Sequence, residues 1–470
     1  MEILFAAAEV SPFFKAGGLA DVAGSLPLAM ARLGHTVRLV APLNLAEPPP
    51  GASLLPNRLD ITVAGRHEAA SLWQLPLEER ATLYLIDCPH YFRRGHVYDE
   101  DDLERFTRFS LALAQLPYLP GWKPDVFHAN DWHVCLAVRE VSNAGGPPVL
   151  LTVHNVQYQG HFSPEWFEFT VGTFPEAEIF HQNRVFPNML GLGLIQAQTV
   201  STVSHTFARE IVTPEFAHGE ETLFAHRQRP VVGILNGLDY DDFNPAADPM
   251  LAVLFDSSSL EERAVNKSVL QAWVGLPQGT GLPLLGMVTR LVEQKGLDIL
   301  VPALERFLLG AEAQLIILGD GETRYKDELS CLAGIYGNKM GVVFGFDEGM
   351  ARLIYGGCDV FIMPSSFEPG GLGQLISMRY GAIPLVRHTG GLADTVTDLT
   401  EDLSQGNGFV FRDYTPETLE AALDRAVSSF ALREEWIRLQ RRVMGLDFSW
   451  GASARDYEAL YRIMVEGSRK

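Results

Sequence analysis

Short apolar runs, each followed by a stretch of helical periodicity, recur along this chain in two series. The first comprises Ile3 to Ala8, Val37 to Pro42, Leu83 to Asp87, Val126 to His128, Val149 to Val153 and Thr199 to Val203. The second comprises Leu284 to Val288, Leu315 to Leu318, Val342 to Phe344, Val360 to Met363 and Ile383 to Val386. Runs this short and this uniformly apolar suit strands buried on both faces, and intervening helices are what joins parallel strands. The pattern therefore predicts βαβ architecture twice over, as two Rossmann-like, doubly wound α/β domains. At 470 residues the chain is also too long for one core. The stretch from Asn236 to Pro245 is rich in turn formers, which sets the expected boundary: an N-terminal domain over 1–238 and a C-terminal domain over 239–448. Ligands of open α/β sheets bind beyond the carboxyl ends of strands, so two such domains facing each other predict a central cleft.

Composition narrows the function by exclusion. A formal net charge of −21 argues against nucleic acid and anionic membranes as partners, since both require a positive surface that replaces counterions. An anionic substrate must then be held by a local cluster of Lys and Arg. Cys88, Cys135, Cys331 and Cys358 are scattered in apolar surroundings without a close pair and read as buried thiols in a reducing compartment. Glu2 and Glu9 bracket the first apolar run, which is unlike a secretory signal, and no run reaches membrane-spanning length. The expected location is cytoplasmic.

Candidate chemistry falls at strand ends. Gly17-Gly18-Leu19-Ala20-Asp21 and Gly390-Gly391-Leu392-Ala393-Asp394 are two copies of one phrase, each after an apolar run. Paired glycines between a strand and a helix let backbone N–H groups approach an anion, and Lys15 beside the first pair suits a phosphate. His128, Asp131 and His133 follow one run, and His154 and Asn155 follow the next. In the second half, Thr289 to Gly296 carries Arg290 and Lys295, two cations fit for a leaving diphosphate, and Pro364 to Leu372 carries Glu368. Each has a plainer alternative. A lone strand-end histidine is most often structural, Glu368 suits a helix cap, Phe346 suits a core, and Arg290 and Lys295 suit an exposed surface. Asp239-Tyr240-Asp241 has the form of a metal-binding D-x-D, but its turn-rich setting favours a linker.

Taken together, Lys15 to Val22, His128-Ala129-Asn130-Asp131-Trp132-His133, His154-Asn155, Arg290 to Gly296, Phe367 to Leu372, Thr389 to Thr395 and Asp447 to Trp450 resemble the bacterial glycogen synthase and plant starch synthase family along essentially the whole chain. The resemblance implies a GT-B fold, with the segment 449–470 returning as a helix to the first domain. It further implies metal-free, cofactor-free transfer of glucose from a nucleotide sugar to the non-reducing 4-hydroxyl of an α-1,4-glucan, with retention. ADP-glucose is the expected donor, UDP-glucose the alternative, and a homo-oligomer is compatible. By the same resemblance Lys15, Arg290 and Lys295 bind the donor's phosphates, Glu368 sits against its glucose, and His154 lies near the reacting carbon. Asp131 belongs to the acceptor-side network, Tyr98 stands beside the acceptor, and Phe346 stacks on the base. Gly17, Gly18, Asp21, Asn155, Asn236, Gly370, Gly371, Leu372, Gly390 and Gly391 complete the expected substrate contacts. The chain departs from the family's pattern at Ala16, Ser366, Gly370 and Gly373, where side-chain contacts are lost and backbone contacts are kept. A pyridoxal-phosphate phosphorylase, a silent glucan-binding protein and a dinucleotide dehydrogenase are the competing readings, the last weakened by the lack of a G-x-G-x-x-G after the first run.

Overall fold

A computed structural model describes residues 1–468. It divides the chain into two compact units, one formed by Met1–Gly237 with the segment from Trp450 onward, the other by Leu238–Ser449. In the first, β1 (Glu2–Ala6), β2 (Thr36–Pro42), β3 (Ser53–Val63), β4 (Arg66–Glu78), β5 (Ala81–Asp87), β6 (Val126–Asn130), β7 (Val149–Val153), β8 (Thr199–Thr202) and β9 (Val232–Gly233) form one sheet in the order β3-β4-β5-β2-β1-β6-β7-β8-β9. From β5 to β9 every neighbouring pair is parallel. The second unit holds β10 (Leu284–Leu291), β11 (Gln314–Gly321), β12 (Met340–Phe344), β13 (Val360–Met363), β14 (Ile383–Arg387) and β15 (Phe409–Phe411), all parallel, in the order β12-β11-β10-β13-β14-β15. Both are the doubly wound α/β units that the apolar runs predict.

The strand order locates the ligand crevices before any side chain is considered. In the first unit the chain goes from β1 outward to β2 and β5, then returns to the other side of β1 with β6. In the second it goes from β10 outward to β11 and β12, then returns with β13. These reversals, β1/β6 and β10/β13, are the topological switch points where adjacent loops diverge and leave a crevice at the carboxyl ends.

The β3–β4 hairpin is absent from the predicted strands for a physical reason. Its strands pair antiparallel at the sheet edge, with one face in solvent, and so lack a continuous apolar run. Ala64 and Gly65 turn it at φ 50° and 72°, the left-handed pair that a tight hairpin needs.

The helix Trp450–Ser468 belongs to the first unit and buries Tyr457, Tyr461 and Met464 fully. The Tyr461 hydroxyl lies 2.6 Å from His128 Nδ1, and His128 Nε2 lies 2.6 Å from Thr152 Oγ1 on β7. Gly237 permits the chain to pass here, because a Cβ on it would sit 2.5 Å from Trp450 Cα. Among the described residues no helix is long and apolar enough to cross a membrane.

Candidate active site

At the β1/β6 switch point the glycine loop is occupied from within. Glu9, only 2 % exposed, accepts the N–H groups of Ala16 and Gly17 on Oε2 at 2.6 and 2.8 Å. The Tyr98 hydroxyl donates to Glu9 Oε1 at 3.2 Å. Burial raises the Glu9 carboxyl above its ordinary range against these donors. Two of the loop's N–H groups are thus taken up by an internal carboxylate. Lys15 beside it is half-exposed and 2.6 Å from Asp21, and Gly18 is open, since an added Cβ there would meet nothing within 4 Å. Tyr98 stacks on the buried His133 with ring centroids 5.3 Å apart.

Asp131 follows β6 with φ 59° and ψ −178°, a conformation strained for any residue with a Cβ. The strain aims its buried carboxylate at the end of β7, where Oδ1 accepts the N–H of His154 at 2.7 Å and of Asn155 at 3.4 Å. The Asn155 side chain turns back to the N–H of Gln157. Burial pushes the Asp131 carboxyl up to about 7, whereas it drives His154 and His133 down to about 3, so both imidazoles are neutral. His128 is held to Tyr461 and Thr152 inside the sheet and is a structural residue. Asn236, one residue before the first unit's long segment ends, has a buried Oδ1 that accepts no hydrogen bond among the described residues.

The Asp131 value carries a prediction. The folded-state value of about 7 lies above the ordinary 3.8, so between them the folded chain holds the extra proton and stability falls as pH rises. Asp131→Asn keeps an acceptor oxygen but does not titrate. Its Tm should gain on wild type by several degrees from about pH 4 to about pH 7 and hold that gain above, measured by thermal melts across pH. A difference that does not vary with pH would mean that Asp131 is ionised throughout.

At the β10/β13 switch point Arg290, Lys295, Ser365, Glu368 and Leu372 line a cavity of about 170 Å³. Arg290 lies within β10, since that strand runs on to Leu291, and is exposed, its guanidinium 3.4 Å from Gln294 Oε1. Lys295 Nζ donates to Glu368 Oε2 at 2.6 Å and Ser365 Oγ donates to the same oxygen at 3.1 Å. Glu368 caps no helix. The next one begins at Gly373 and Leu372 is its N-cap, without a side-chain bond. The plain surface-charge reading also fails for Lys295, which is half-buried and paired.

The second glycine pair has a different task from the first. A Cβ on Gly390 would lie 2.0 Å from the Glu368 carbonyl oxygen, and one on Gly391 2.0 Å from that of Gly370. Gly391 N–H donates to the Glu368 carbonyl at 3.0 Å, and Gln374 Nε2 ties Gly370, Gly371 and Thr395 together. These glycines fasten the backbone on which Glu368 sits. At Gly373 an added Cβ would sit 3.0 Å from the Phe361 ring and 3.1 Å from the Met363 sulfur, so those side chains would have to give by a few tenths of an ångström.

Two sequence readings change on this description, and the turn reading of Asp239-Tyr240-Asp241 has a partner set to match it. Phe346 is 88 % exposed, which ends its reading as core. Cys331 is exposed, unlike the buried Cys88, Cys135 and Cys358. Asp239 Oδ1 accepts the N–H groups of Asp241 and Asp242, closing its own turn. Glu9 and Asn130 were not among the candidates. Each is a polar residue inside or just after an apolar strand, and that conflict with the hydrophobic pattern is the signal that points to them.

The family described as "Starch synthase catalytic domain" matches residues 2–226, and "Glycosyl transferases group 1" matches residues 276–443. A glycogen synthase of Bacillus subtilis (strain 168) is 38 % identical across 100 % of this chain and 99 % of its own. The chain belongs to the glycogen synthase and starch synthase family. A glycogen synthase of Moorella thermoacetica is 42 % identical over 100 % of this chain and 98 % of its own. The solved catalytic domain of starch synthase IV from Arabidopsis thaliana, bound to ADP and acarbose, superposes with a TM-score of 0.87 at 32 % identity, covering 99 % of both chains. The chain is accordingly a glycosyltransferase with the GT-B fold of that family.

Proposed function

We propose that this chain is a glycogen synthase that transfers glucose from ADP-glucose to the non-reducing 4-hydroxyl of an α-1,4-glucan, with retention of configuration. The observation that carries the reading is the Lys295–Glu368 pair beside Arg290 at the second switch point. Support comes from the curated relatives named glycogen synthase and from the related starch synthase solved with ADP and acarbose.

Breaking the bond to the anomeric carbon leaves positive charge on the sugar and negative charge on the nucleoside diphosphate. Cations must meet the second and a carboxylate the first. An ammonium has three N–H donors, so Lys295 can keep one on Glu368 and turn others to a phosphate. Arg290, exposed until a ligand covers it, adds a second positive charge on the same side. A diphosphate leaves without a general acid. In this reading it takes the acceptor's proton on the face it departs from, which gives retention without a second carboxylate. Lys15 joins the phosphate contacts, Phe346 offers its exposed ring to the purine, and Gly18 leaves room for the ligand. Asp21, Tyr98, Asn155 and Asn236 contact substrate from the first unit, and the neutral His154 meets the sugar.

Initial rates on glycogen with each donor test this. ADP-glucose should give a kcat/KM above that of UDP-glucose by about tenfold or more, because an extended ring such as Phe346 favours a purine. A higher kcat/KM with UDP-glucose would overturn the donor, and no transfer from either would overturn the reaction.

A further inference from the structure

From the side chains around the end of β6, we infer that Asn130 is a positioning residue that holds His154 in its Nε2–H tautomer and leaves Nδ1 as a bare acceptor. Asn130 is fully buried at the last position of β6. Its Nδ2 lies 3.0 Å from the carbonyl oxygen of Ala6 at the end of β1. A carbonyl only accepts, so this contact fixes which end of the amide is which. The remaining Oδ1 lies 2.9 Å from His154 Nε2 and, being an acceptor, requires a proton there. A neutral imidazole carries one N–H, so Nδ1 is then unprotonated. Nδ1 makes no hydrogen bond among the described residues, while the backbone N–H of His154 is pinned separately to Asp131.

The consequence for recognition rests on the reading that His154 meets the sugar. A bare Nδ1 takes a hydrogen bond from a hydroxyl and gives none to a phosphate oxygen. The two strands of the switch point thus decide, through one buried amide, that this position reads a sugar hydroxyl. The titratable groups coupled to the ring are Asp131, His128 and His133. None of them contacts its Nε2 among the described residues.

The test is a two-bond ¹H–¹⁵N correlation on the full chain labelled at histidine, with His154 assigned by its loss in His154→Gln. Wild type should show a neutral Nε2–H ring at pH 7. Asn130→Leu, which cannot accept, should shift the ring toward the Nδ1–H form and lower kcat by about 10²-fold with the donor KM little changed. Asn130→Asp keeps an acceptor and adds a charge. It should retain the Nε2–H form and a near-normal rate at alkaline pH, then lose activity as pH falls and His154 protonates, where wild type stays level. An Nδ1–H ring in wild type, or a tautomer that Asn130→Leu leaves unchanged, overturns the assignment. A tautomer that shifts while kcat holds supports Asn130's role and overturns the sugar contact of His154, so the two failures are told apart.

Discussion

Glu368→Gln should fold and bind ADP-glucose but lose turnover by roughly 10²- to 10⁴-fold. The argument is one of shape kept and charge removed. The amide still offers an oxygen to Lys295 Nζ and Ser365 Oγ, the two donors that hold the carboxylate at 2.6 and 3.1 Å. The following helix takes no cap from this side chain, so none is lost. The Lys295 side chain keeps 17 % of its surface in water and is not stranded without its counter-charge, which limits the stability cost to about 1 kcal/mol. On the proposed reaction, what disappears is the negative charge that would face a sugar becoming positive as the diphosphate departs. Melting temperature, donor affinity and turnover on glycogen are the measurements. A destabilised variant with full activity would remove Glu368 from the chemistry.

Lys295→Ala and Arg290→Ala should each lower turnover by about 10²-fold or more, yet part company in stability. Arg290 is exposed, with only a 3.4 Å contact to Gln294, so its removal leaves Tm nearly unchanged. Lys295 neutralises a carboxylate that is 7 % exposed, and removing it leaves that charge buried with a single hydroxyl donor. A loss of about 1–3 kcal/mol is expected, the cost of orphaning a buried polar group. Adding Glu368→Gln to Lys295→Ala should restore the stability and none of the rate. If the double variant melts no higher than Lys295→Ala, the pair is not what holds this segment. If Lys295→Ala turns over normally, its assignment to the leaving group falls.

Periodicity alone was enough for most of the parallel strands, because burial on both faces leaves an uninterrupted apolar run such as Val149–Val153 or Val360–Met363. It could not reveal β3, β4, the two-residue β9 or the three-residue β15, where half the residues face water or the strand is too short to carry a period. The candidate site divides the same way. Strand-end position pointed to Lys295, Glu368, Asp131 and His154, since switch-point loops follow from topology. It could not tell that Glu9 fills the first glycine loop, or that Gly390 and Gly391 serve the backbone of Glu368. The two copies of Gly-Gly-Leu-Ala-Asp are identical in letters, and the atoms within 4 Å of an added Cβ separate them, none at Gly18 and a carbonyl at 2.0 Å at its counterpart Gly391.

The docking of Trp450–Ser468 onto the first unit sets an order of events during synthesis. His128 waits for a tyrosine 333 positions later, and the 212 residues from Leu238 to Ser449 emerge from the ribosome in between. At about 5–20 residues per second that is roughly 10 to 40 s in which the sheet stands with one helix missing and the faces of Ile3, Phe5 and Val126 incompletely covered. The second unit is contiguous and has all its own strands by then. The half of the protein that is translated first is therefore the half that finishes folding last, and a ribosome stalled anywhere short of Tyr461 holds a first unit whose apolar surface is open to chaperones or to aggregation.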